Sequence, residues 1–92
     1  MKIFLKKFGN ILISRQSGRE AWAAFQPQLA SLEEKDKEEK DKLELDFDGV
    51  SAFSPSWGDE FLTPLVKQYG PRLILINTEN PSVKATLELL EN

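Results

Sequence analysis

The sequence contains no cysteine and no histidine, and only one methionine and one tyrosine. Without cysteine there is no disulfide to support a fold and no thiol for catalysis or redox sensing. Without histidine the chain lacks the usual general base near neutral pH, the usual pH switch and the commonest metal ligand. Zinc sites and Ser-His-Asp catalysis are thereby excluded. Apolar runs such as Leu73 to Ile76 are far too short to cross a bilayer, which takes about 20 residues. The opening MKIFLKKFGN mixes lysines with apolar residues and offers no small-residue cleavage site, so it does not read as a signal peptide. A cytoplasmic protein with no membrane partner is expected.

What remains is 92 residues, enough for one small domain near the lower size limit for burying a core unaided. A single domain over residues 1–92 is therefore expected. The net charge of −3 is unevenly distributed. Lys2, Lys6, Lys7, Arg15 and Arg19 outweigh Glu20 in residues 1–32, whereas acids dominate from Leu43 onward. A nucleic-acid binder shows a denser basic patch with interleaved aromatics, so no nucleic-acid partner is expected. Residues 33–42, EEKDKEEKDK, are charged at every position. That composition excludes them from any core and reads as a solvated connector, either prolonging the preceding helix as a solvated tail or forming a mobile loop.

The pattern of elements is α/β. K-I-F-L-K-K and N-I-L-I-S, separated by Gly9-Asn10, read as a β-hairpin. Ser17-Gly18-Arg19-Glu20 fits a capping box opening a helix. Trp22, Phe25, Leu29 and Leu32 then fall on one face, and Pro27 should kink or divide that helix. Leu43, Leu45 and Phe47 alternate with Glu44, Asp46 and Asp48, as in a strand buried on one face. Ser54 or Ser56 can cap the next helix, with Pro55 suited to its first turn. Its stripe is Trp57, Phe61, Leu65 and Tyr69; Pro64 sits awkwardly inside it, and Gly70-Pro71 ends it. Leu73 to Asn77 reads as a strand covered on both faces. Asn80-Pro81 opens a last helix facing inward through Val83, Leu87 and Leu90. The expected order is β-β-α-β-α-β-α, a four-stranded mixed sheet with three helices, in which strand Leu43–Asp48, its helix and strand Leu73–Asn77 form one right-handed βαβ unit.

The stretch LDFDGVSAFSPSWGDEFL, Leu45 to Leu62, carries the chemistry worth weighing. Its start resembles the D-x-D-G-[TV] signature of haloacid-dehalogenase-like phosphatases. That resemblance implies Asp46 as nucleophile, Asp48 as general acid and an adjacent Mg²⁺. The i, i+2 spacing at a strand's end would put both carboxylates on one face. Only 44 residues follow Asp48, too few for the rest of that enzyme core, and isolated short motifs match by chance often. The plainer reading makes both aspartates polar residues on the open face or at the end of a strand.

More of the chain, from about Ile3 to Leu90, resembles the STAS domains of bacterial anti-sigma-factor antagonists. It is similar above all to a STAS-like family of prokaryotic proteins of unknown function. L-D-F-D-G-V matches the strand and turn, and S-P-S-W-G-D-E-F is the most specific piece. The resemblance implies a small STAS-like α/β fold and a non-catalytic, cofactor-free module of bacterial signalling. It implies a protein partner, a GHKL-type ATPase or kinase or another regulator, contacted through Ser54, Ser56, Trp57, Asp59 and Glu60. By position it makes Ser56 the phosphoacceptor. Trp57 departs from the small residue usual after the acceptor, and Ser54 and Pro55 depart from the residues before it. A small-ligand or nucleotide sensor with a pocket beside Ser54–Trp57 is the alternative function.

Each residue also has a structural role open to it. Ser56 can be a helix N-cap. Trp57 can close the core or anchor a partner, and Trp22 reads as core. Arg15 and Arg19 can pair with surface carboxylates or hold a phosphate at a helix N-terminus.

Overall fold

The structure, a computed structural model, describes residues 1–35 and 42–91. Strand β1 (Lys2–Phe4) turns Ile3 inward and leaves Lys2 and Phe4 outside. A 3-10 turn over Leu5–Phe8 buries Leu5, and Gly9 at φ 128° redirects the chain into β2 (Ile11–Leu12). Helix α1 (Arg15–Lys35) follows, then β3 (Leu43–Asp46), β4 (Ala52–Phe53) and α2 (Pro55–Tyr69). After a second 3-10 turn come β5 (Leu73–Ile76) and α3 (Pro81–Glu91).

The domain is α/β with three helices, but its strands are not arranged as a four-stranded mixed sheet. They form a three-stranded sheet in the order β1-β3-β5 and a separate two-stranded sheet, β2-β4, and every pairing is parallel. Ile3 lies beside Leu45, which lies beside Leu75; Leu12 lies beside Phe53. The expected N-terminal hairpin is absent because β1 and β2 join different sheets. Burial shows why: Ile11 and Ile13 are exposed, so β2 offers only Leu12 to the core, too little for an alternating face opposite β1. Asn10 instead accepts the N–H groups of Ser51 and Ala52 through its carbonyl, which seats β2 on β4.

Helix α1 starts one turn earlier than the capping box predicts. The Ser14 hydroxyl accepts the N–H of Ser17, while Glu20 is taken by Gln16. Gly18, Ala21, Phe25 and Leu29 form the buried stripe. The helix runs unbroken past Pro27. Both Pro27 and Ala23, whose carbonyl loses its partner, are exposed, so water can satisfy that carbonyl. Helix α2 likewise continues through Pro64. The expected connector at 33–42 begins as helix: residues 33–35 belong to α1, and Glu33 accepts the Tyr69 hydroxyl at 2.9 Å. Its residues 36–41 lie outside the described part.

One face of the larger sheet is packed through Ile3, Leu43 and Leu45, all buried. The opposite face leaves Phe4 and Ile74 exposed. Strand β5 is an edge strand and is half-buried, not covered on both faces. The centre is aromatic: Phe25, Phe47, Phe53, Trp57 and Phe61 are fully buried, with Trp57 stacked on Phe61 at 4.9 Å. No helix among the described residues is long and apolar enough to cross a membrane.

Candidate functional site

Asp46 ends β3 with only 2% of its surface accessible. Its Oδ1 accepts the Asn77 side-chain amide at 2.8 Å and the Asp48 N–H at 2.9 Å. Its Oδ2 lies 3.6 Å from Lys2 Nζ. One carboxylate thus joins the ends of β1, β3 and β5. The Asn77 amide, then the Asp48 N–H, hold its pKa below the usual carboxylate value against the opposing effect of burial. Asn77 itself adopts φ 56°, the one non-glycine residue with positive φ among those described. Asparagine tolerates that conformation better than most residues. Asp48 is exposed in the turn, and Gly49 follows at φ 85°. The two aspartates therefore serve different ends: Asp46 is engaged inside the fold, and Asp48 faces solvent. Among the described residues no group of three carboxylates gathers as a metal site would require.

Downstream, the chain is fastened at each step. Ser54 donates its N–H to the Leu12 carbonyl and its hydroxyl to the Ile13 carbonyl at 2.6 Å. The same hydroxyl accepts the Trp57 N–H and so caps α2, with Pro55 at the first helical position. Ser54, not Ser56, is the cap. The Trp57 ring is wholly buried, and its indole N–H donates to Ser17 Oγ at 3.1 Å. Gly18 lets α1 approach this closely: a Cβ there would meet the Trp57 carbonyl oxygen at 2.7 Å and its Cα at 3.0 Å.

Ser56 differs from its neighbours. It is partly exposed in the first turn of α2, and its hydroxyl has no hydrogen-bond partner among the described residues. One turn on, Asp59 and Glu60 both meet Arg15, whose Nη1 lies 2.9 Å from Asp59 Oδ2 and 3.0 Å from Glu60 Oε1. Arg19 reaches Glu60 at 3.5 Å. Each arginine pairs with carboxylates of α2, which ties the start of α1 to the start of α2. The hydrogen bond from Arg15 holds the Asp59 carboxyl below its usual range, and Asp59 with Glu60 raises the Arg15 guanidinium. All these groups are exposed or partly so, and such pairs stabilise weakly.

The structure thus joins Asp59 and Glu60 to Arg15 and Arg19, with Ser56 one turn before them on α2. It removes Trp57 to the core and commits Ser54 to capping. Sequence patterns alone did not reveal that Ser14 caps α1, that Ser17 and Gly18 receive Trp57, or that Asn77 holds Asp46. A glycine at the start of a helix and an asparagine just after a strand were the available signals. A cavity of about 490 Å³ lies towards the other end of α2, lined mainly by Leu62, Val66, Leu73, Leu75, Leu87 and Leu90. None of Ser54–Trp57 lines it.

The family model described as a STAS-like domain of unknown function matches residues 29–83. The chain belongs to this STAS-like family. The match runs from the last turns of α1 through β5 into the start of α3 and includes Ser54, Ser56, Trp57, Asp59 and Glu60. No curated protein and no solved structure matches the chain. In this STAS-like domain the early strands β1 and β2, outside the matched segment, complete both sheets.

Proposed function

We propose that this STAS-like domain is a non-catalytic regulatory module of a bacterial signalling system, acting in the cytoplasm on a protein partner such as a GHKL-type ATPase. Its docking surface is the edge where α1 and α2 begin, with Asp59 exposed and Ser56 and Glu60 partly exposed beside the bound ends of Ser54 and Trp57. The observation that supports this reading is the division of labour in the loop. Ser54 and Trp57 are consumed by the fold, whereas Ser56 presents a hydroxyl that the fold does not use.

Transfer of the terminal phosphoryl group of a nucleoside triphosphate to Ser56 would form the Oγ–P bond and release the diphosphate and the hydroxyl proton. The product carries about −1.5 to −2 charge at neutral pH. A partner seated over the bare hydroxyl would lose close contact and meet new negative charge. The test is calorimetric titration of a GHKL-type ATPase from the same organism with native protein and with Ser56→Asp. Binding by the native chain, weakened about tenfold or more in the variant, is expected. Equal affinities would overturn switching at Ser56, and no binding by either would overturn this partner class.

A small-ligand sensor is the second reading, and the 490 Å³ cavity favours it, being of the size that small molecules occupy. Its lining is mainly apolar and remote from Ser54–Trp57, which suits a hydrophobic ligand better than a nucleotide. Thermal shifts with apolar compounds but not with nucleotides are expected on that reading.

A further inference from the structure

We infer that Arg15 and Arg19 form a phosphate-holding pair for a phosphoryl group on Ser56, exchanging their present carboxylates for it. This rests on the proposal that Ser56 is the modified residue, and it names what reads the modification. Ser56, Asp59 and Glu60 stand at i, i+3 and i+4 on α2, so their side chains share one face about 5–6 Å apart at Cβ. Arg15 already lies across that face, with one nitrogen between Asp59 and Glu60.

Two carboxylates compete with the phosphoryl group for these guanidiniums, and the geometry says how the competition resolves. Asp59 is the group best able to leave: half its side chain is accessible, and Thr63 Oγ1 lies 3.4 Å from its other oxygen. Glu60 has a second cation in Arg19, at present held only at 3.5 Å. Arg15 can therefore turn to the phosphoryl oxygens while Glu60 passes to Arg19. Arginine's planar fork suits a phosphate dianion better than a single carboxylate oxygen. The first turn of α2 adds the favourable end of its dipole. In the unmodified domain two guanidiniums balance two carboxylates. Modification leaves the same surface about 1.5 to 2 charges negative, without uncoupling α1 from α2.

Phosphoserine placed at position 56 during synthesis allows a test that needs neither kinase nor partner: the phosphorus NMR titration of its second ionisation. A free phosphoserine titrates near about pH 6. In otherwise native protein the midpoint is expected below that value, and Arg15→Gln should raise it by about 1 unit. Asp59→Asn should lower it further by removing a competitor. Circular dichroism establishes that each variant is folded. A midpoint at or above that of free phosphoserine, unmoved by Arg15→Gln, would show that Asp59 and Glu60 dominate and would overturn the assignment. A lowered midpoint together with absent ATPase binding would sink the partner reading while leaving the arginine pair standing.

Discussion

At Gly18 two residue-level effects oppose each other, and the rigid backbone facing the glycine decides the sign. Alanine is better than glycine in a helix interior by about 1 kcal/mol. The added methyl, however, would press on the Trp57 carbonyl oxygen and Cα, both backbone atoms that cannot swing aside. Overpacking of this kind costs about 1–3 kcal/mol. Gly18→Ala is therefore expected to destabilise the domain by up to about 2 kcal/mol net, read from urea denaturation midpoints. A stabilised variant would mean that α1 does not approach the Trp57 backbone this closely. Trp57 illustrates the same point from the partner's side. Its place in the i, i+4 stripe with Phe61, Leu65 and Tyr69 foretold burial, and it is fully buried; its indole N–H bond to Ser17 was not foretold, because it depends on where α1 lies.

Helix α2 depends at its start on one hydroxyl that does two things. Ser54 caps the helix and also bonds the end of β2 through the Ile13 carbonyl. Ser54→Ala should cost about 1 kcal/mol, whereas Ser56→Ala should change stability by no more than about 0.5 kcal/mol. Equal losses in thermal melts of the two variants would return the capping role to Ser56. The elements that were legible in the sequence are those with local signals. Ser54-Pro55 and Asn80-Pro81 mark two helix starts, and Asn80 does accept the N–H groups of Ser82 and Val83. The alternation from Leu43 to Phe47 marks β3. What was not legible depends on distant partners. Strand β4 is two residues long, too short to show a period. Whether β1 pairs with β2 or β3 is decided by burial, and Ser14 was passed over because Ser17-Glu20 made the better local pattern. The candidate surface divides likewise. The first turn of α2 was readable, but that Arg15 and Arg19 meet Asp59 and Glu60 was only one of two open roles.

For the molecule as a whole, Asp46 links the larger sheet to the solution pH. Its carboxylate, held by Asn77, the Asp48 N–H and Lys2, has a pKa below the ordinary aspartate value of 3.8. The folded state therefore favours the ionised form more than the unfolded chain does. That contribution is fully present above 3.8 and is lost as pH falls through the lower folded value. The native chain should exceed Asp46→Asn in urea midpoint by a constant margin near neutrality, and the margin should close below pH 3.8. A margin that persisted in acid would show that Asp46 contributes through shape and not charge. The all-parallel pairing has a further consequence, for the growing chain on the ribosome. Lys2 finds its neighbour at Glu44, Ile11 at Ala52, and Leu43 at Leu73. Each contact closes a long loop before any return is gained. Strand β1 must wait, partnerless, until synthesis has reached β3.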